Sequence, residues 1–146
     1  MATTSTVSGL AAHLRLAIAR SNRRLRQEAG SGLSPTLTAA LATVERHGPL
    51  TPSELASRER IQRPTATRLI AKLEGDGLVL RTADPHDGRS SLITASSAGR
   101  ALLREGRTRK DAYLAQRLRS LSAEDRAVLD RAAVLLERLL EEEGRP

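Results

Sequence analysis

Between Arg63 and Lys72, five side chains stand at spacings that turn them outward on one stretch of helix: Arg63, Thr65, Thr67, Arg68 and Lys72. Ala66, Leu69, Ile70 and Leu73 interleave with them at three- and four-residue steps, the period of an α-helix with one face packed inward. The outward types share a chemistry. An arginine meets phosphate or a guanine edge, a lysine meets phosphate, and a threonine offers a hydroxyl to phosphate and a methyl to thymine. Gln62, immediately before, completes this candidate set. A second set lies at Asp84-Pro85-His86-Asp87-Gly88-Arg89, a run dense in turn formers. Its cations, His86 and Arg89, flank a tip that can enter a narrow minor groove. Asp87, two residues before Arg89, is expected to hold the guanidinium by charge-assisted hydrogen bonds and so to position the tip.

The elements that must carry these sets follow from periodicity and caps. Val7, Leu10, Leu14, Ile18 and Leu25 predict a first helix over about 8–28, ended by Gly30-Ser31-Gly32. Ser34-Pro35 starts a second helix, with Leu37, Ala40, Leu41 and Val44 inward and Gly48-Pro49 as its stop. Thr51-Pro52-Ser53-Glu54 is a capping box for a short helix over 52–59. A tight connection through Ile61 leads to the 63–75 helix. Leu78 to Thr82 and Ser91 to Ala95 read as a hairpin around the Asp-Gly turn. A long helix over 97–119, capped by Ser96 or Ser97, follows, and Ser122 opens a last one with Leu129, Leu135, Leu136, Leu139 and Leu140. Two short helices joined by a tight turn, then a basic-tipped hairpin, make a winged helix-turn-helix. The fold expected is mainly α: this lobe at 34–95, long N- and C-terminal dimerisation helices at 8–28 and 97–142, and one small β-hairpin wing, all in a single domain of 146 residues.

Composition supports an anionic partner. With 24 Lys+Arg against 17 Asp+Glu the net charge is +7, which favours nucleic acid before membrane. There is no Cys, so disulfides and thiolate metal sites are excluded. No apolar run reaches a membrane span and no signal-peptide pattern opens the chain, so the cytoplasm is the expected compartment. His13, His47 and His86 are scattered over different elements, which gives no metal site, and no cofactor is expected. No Ser-His-Asp or paired-carboxylate arrangement offers catalysis. The Arg cluster at 100–110 reads as the solvated face of a long helix.

At residues 54–103 the chain resembles the multiple-antibiotic-resistance regulator (MarR) family. The stretches that carry the resemblance are Glu-Leu-Ala-Ser-Arg-Glu, Thr-Ala-Thr-Arg-Leu-Ile-Ala-Lys-Leu-Glu-Gly-Asp-Gly-Leu-Val, Asp-Pro-His-Asp-Gly-Arg and Ala-Gly-Arg-Ala-Leu-Leu. Of the family's wing signature, Asp87, Arg89 and Gly99 match, while Ala95 and Ser96 stand in place of Leu-Thr. Gln62 stands where such proteins carry a Ser or Thr cap. The resemblance implies a homodimeric regulator that binds a palindromic site on double-stranded DNA, the 63–75 helix in the major groove. It also implies a small anionic aromatic effector, bound in a crevice bordered by the first helix, the second helix and the start of the 97–119 helix. His13, Arg20 and Arg24 are the candidates to hold it there. The alternative from another class is a winged-helix protein-interaction module without DNA binding. The outward Arg and Thr of the 63–75 helix speak against it, because a protein interface favours apolar residues there.

Overall fold

The computed structural model describes residues 6–142. Six helices and one hairpin follow in the order α1 (Val7–Ala29), α2 (Pro35–His47), α3 (Pro52–Glu59), α4 (Arg63–Gly75), β1 (Val79–Ala83), β2 (Ser91–Ala95), α5 (Ser97–Arg119) and α6 (Ala123–Glu142). The expected helices and hairpin are therefore present in the expected order, with β1 displaced by one residue from the predicted strand. The described residues divide into two compact units, which part between Lys110 and Asp111.

In the first unit, local caps set the helix starts. The Thr6 hydroxyl accepts the Gly9 N–H at 3.0 Å and opens α1. Ser34 accepts the Leu37 N–H at 3.2 Å and opens α2. The Thr51–Glu54 box closes in both directions, at 3.1 and 3.4 Å, and opens α3. Each bond satisfies one of the amides that a helix start leaves unpaired. The core between them is aliphatic. Leu41 and Val44 of α2, Leu55 of α3, Ile70 and Leu73 of α4, Val79 of β1 and Ile93 of β2 are essentially inaccessible to solvent. Leu103 of α5 joins the same cluster.

The hairpin is antiparallel, in a register running from Val79 opposite Ala95 to Ala83 opposite Ser91. A third segment, not expected from the sequence, adds one rung. Leu50 bridges Ile93 through two backbone hydrogen bonds, Leu50 N–H to Ile93 at 3.0 Å and Ile93 N–H to Leu50 at 2.7 Å. The base of the hairpin is thereby tied to the segment between α2 and α3.

Ser96 locks the junction from wing to α5. Its hydroxyl donates to the Gly77 carbonyl at 2.6 Å and accepts the Gly99 N–H at 3.0 Å, while its backbone N–H donates to the Leu78 carbonyl at 3.0 Å. Gly99 is required by close approach: a Cβ there would fall 2.1 Å from the Leu78 carbonyl oxygen and 3.2 Å from Leu41 Cδ1.

The second unit holds the C-terminal part of α5, a turn and α6. Ser122 caps α6 by accepting the Asp125 N–H at 3.0 Å. Arg126 donates to the Leu121 carbonyl at 2.9 Å, which ties the turn to the helix it precedes. Arg117 lies 5.7 Å from the centre of the Tyr113 ring, one turn away along α5. α6 leaves Val128, Leu129, Val134, Leu135, Leu139 and Leu140 exposed, with Leu140 at 70%.

Candidate nucleic-acid interface

α3 and α4 are joined by Arg60, Ile61 and Gln62. α3 ends with Arg60 in the left-handed region, φ 54°, and the Ile61 N–H reaches back to the Ala56 carbonyl at 3.0 Å. This closing geometry usually takes glycine, because a side chain there costs roughly 1–2 kcal/mol. An arginine in that position was not foreseen from the sequence, and it leaves a cation exposed on the turn. Gln62 occupies the cap position of α4 with no side-chain hydrogen bond to the helix, so Pro64, within the first two positions, does the work of starting it. The helix is held instead from its inner face, where Ala66, Ile70 and Leu73 are wholly buried.

Gln62, Arg63, Thr67, Arg68 and Lys72 are exposed on α4 and its cap. Thr65 is less exposed than the rest of the set. It is half-buried, and its hydroxyl accepts from Arg68 Nη2 at 3.4 Å. That bond is exposed, and it steadies a neighbouring guanidinium on the helix surface. Lys72 pairs with Asp76 at 3.3 Å, one turn on and in solvent. Such an exposed pair contributes little and gives way readily to a phosphate.

The wing is ordered by short acidic turns. Asp84 accepts the His86 N–H at 2.9 Å, and Asp87 accepts the Arg89 N–H at 3.0 Å. The expected grip of Asp87 on the Arg89 guanidinium is therefore corrected. Asp87 and Arg89 both lie in the loop between β1 and β2, and the carboxylate bends back onto the backbone amide two residues ahead. His86 and Arg89 stay exposed at the tip. Sequence reasoning missed Arg81, whose Nε donates to Glu74 at 3.1 Å and joins β1 to the end of α4. The signal was available: a cation on the strand that closely follows Glu74, the acid of α4.

The arginines of the basic cluster on α5 are exposed, as expected, and three of them also make tertiary hydrogen bonds. Arg100 donates to the Ala95 carbonyl at 2.7 Å, and Arg109 donates to the Ala29 carbonyl at the end of α1 at 2.8 Å. Arg107 grips Glu45 of α2 through both nitrogens, at 2.6 and 3.3 Å. The hydrogen bond from Arg107 holds the Glu45 carboxyl below its ordinary range, against a smaller opposing push from burial, and Glu45 in turn raises Arg107.

A crevice of about 510 Å³ opens between the C-terminal part of α1 and α2. Its cations are Arg23, Arg26 and Lys110. The candidates His13, Arg20 and Arg24 do not line it. Arg24 is rotated about 100° from Arg23 around the helix and pairs with Glu28 at 2.7 Å. Arg20 lies before Asn22, where the lining of α1 begins, and His13 is about 15 Å along the axis from Arg23 at 1.5 Å per residue.

Comparison with known proteins agrees with this geometry. The MarR family model matches residues 33–91, the whole helix-turn-helix and the first part of the wing. An HTH-type transcriptional regulator of Mycobacterium tuberculosis is 39% identical over 134 residues, 91% of this chain and 94% of that protein. The chain belongs to the MarR family. As a MarR protein it is a DNA-binding transcriptional regulator of the helix-turn-helix type. Two solved structures share the MarR chain's architecture almost end to end. A Pseudomonas aeruginosa protein superposes with a TM-score of 0.82 at 35% identity, covering 95% of this chain and 99% of its own. A MarR family protein from Bacillus stearothermophilus superposes at 0.80 with 27% identity, covering 99% and 100%. Among the described residues, no helix of the MarR chain is long and apolar enough to cross a membrane.

Proposed function

We propose that this chain is one MarR-type domain over residues 1–146 that acts in the cytoplasm as a homodimeric repressor on a palindromic operator. Each subunit lays α4 in a major groove and the 84–89 wing in the flanking minor groove. A small anion in the α1–α2 crevice, held by Arg23, Arg26 and Lys110, releases the operator. The observation that carries the DNA reading is the outer face of α4. Arg63, Arg68 and Lys72 are exposed on the same short helix whose inner face, Ala66, Ile70 and Leu73, is fully buried. That is a rigid, cationic, groove-sized element, and a protein-interaction surface would carry apolar anchors there instead.

The dimer is supported by uncovered apolar surface. On α1, Val7, Leu10, Leu16 and Ile18 are exposed, and on α6 six large aliphatic side chains are. So many large apolar side chains left uncovered on two helices favour an interface. Sedimentation at micromolar concentration should show a single dimeric species, and a folded monomer that binds operator would contradict the assembly.

Selection of bound sequences from random duplex DNA tests the DNA reading. The expected product is an inverted repeat whose half-sites lie one helical turn, about 34 Å, apart. A single asymmetric site, or no enrichment, would overturn it.

A further inference from the structure

We propose that the anion taken by the α1–α2 crevice is a slender aliphatic carboxylate, with its head among Arg23, Arg26 and Lys110 and its chain running into a narrow extension beside Gly106. The inference rests on the effector reading above and specifies its ligand class.

The head group follows from charge. Three cations line the crevice, and among the described residues no carboxylate does. The body of the ligand follows from shape and composition. The chain has no Phe, no Trp and a single Tyr, and Tyr113 is not part of the lining. The crevice walls are Leu33, Ala39, Ala42 and the stem of α1. With Pro35 they offer no aromatic ring for an aromatic ligand to stack on, the contact that ordinarily favours such ligands.

A second, smaller cavity of about 90 Å³ shares Ala29, Ser31, Thr38, Ala42 and Lys110 with the crevice, so the two meet along a common wall. Its remaining lining is Leu102, Leu103, Gly106 and Arg107 of α5. A cavity that accepts benzene is about 150 Å³. The extension is too small for a ring and suits a chain of methylenes.

Gly106 points the same way. A glycine inside a long helix weakens that helix. Nothing in the packing demands it: a Cβ on Gly106 would meet Ala29 Cβ at 3.7 Å, an ordinary contact. What the missing side chain provides is room in the extension, next to a cationic mouth. Packing alone gives no reason to keep that room.

Calorimetry of the full chain against sodium alkanoates of increasing length, below micelle-forming concentrations, tests this. Affinity should rise about fourfold per added methylene, the equivalent of ~0.8 kcal/mol, and then level off once the extension is filled. The alkan-1-ol of the best length should bind at least tenfold more weakly, as should benzoate and salicylate. Gly106→Ala, which the geometry admits, should move the plateau to shorter chains while leaving the shortest alkanoates unaffected. Arg26→Gln should weaken every chain length by a similar factor. Circular dichroism establishes that both variants are folded. If benzoate or salicylate binds tightly, sensitive to Arg26→Gln, while alkanoates do not, the ligand class proposed here is wrong and the effector reading stands. If no anion of either kind binds, both fail. Alkanoate binding that ignores chain length, or that Gly106→Ala leaves unchanged, overturns the placement of the tail.

Discussion

Asp87→Asn and Asp87→Ala separate two accounts of the wing. In the structure the Asp87 carboxylate accepts the Arg89 N–H at 3.0 Å and makes no bond to the guanidinium. Asparagine keeps a carbonyl oxygen for that bond and removes the charge, whereas alanine removes both. Each carboxylate lost from a wing about 4–8 Å from phosphate relieves about 0.5–1 kcal/mol of repulsion at the dielectric of water, so about 1–2 kcal/mol over a dimer. Losing the exposed turn bond costs about 0.5–1 kcal/mol per subunit, a similar sum in the opposite direction. The asparagine variant should then bind operator about 5–30-fold more tightly than the parent at low salt, with the gain shrinking as salt screens it. The alanine variant should stay within about threefold of the parent as the two effects offset. Fluorescence anisotropy on one labelled operator, at two fixed salt concentrations, reads both. If Asp87 instead steered the Arg89 guanidinium, both variants would bind more weakly, because an amide is a poor substitute for a carboxylate in that role. Weaker binding by Asp87→Asn at low salt would refute the backbone account.

Arg68→Ala should make the log–log salt dependence of operator binding shallower by about 2 for the dimer, from about 0.9 per phosphate contact; an unchanged slope would remove Arg68 from the interface. Gly99→Ala forces a Cβ to within 2.1 Å of the Leu78 carbonyl oxygen and should cost about 3 kcal/mol, the upper end of overpacking, seen as a lower urea midpoint; a midpoint equal to the parent's would contradict the close approach. Glu45 is held below its ordinary value of 4.5, chiefly by the hydrogen bond from Arg107. A depressed carboxylate stabilises the fold above its unfolded value and loses that contribution as pH falls through the folded one. Glu45→Gln should therefore lower stability at neutral pH and flatten its decline below about pH 4.5; a variant with the parent's acid profile would show that the Glu45–Arg107 bridge carries no linkage.

The helices and the hairpin were legible in the sequence because their signals are local. Ser34-Pro35, the Thr51–Glu54 box and Ser122 each satisfy amides within three residues, and the inward stripe of α4 needs only the helical period to be read. The exposure of Arg63, Thr67, Arg68 and Lys72 follows from that same period. Other features depend on which parts of the chain meet, and spacing along one element cannot supply that. The Leu50–Ile93 bridge joins residues 43 positions apart, and the grip of Arg107 on Glu45 spans 62. The crevice cations come from α1 and α5, so Arg23 and Arg26 differ from Arg20 and Arg24 only by the face and turn of α1 that meets α2. Thr65 is half-buried because it stands one residue, about 100°, from Ala66, at the edge of a buried stripe whose width only the packed lobe defines. Asp87 had two acceptable partners at equal sequence distance, the Arg89 guanidinium and the Arg89 amide. The fold of the loop chose the amide, since the bend from Asp87 to Ser90, closed by a 3.0 Å backbone bond, brings that N–H back onto the carboxylate.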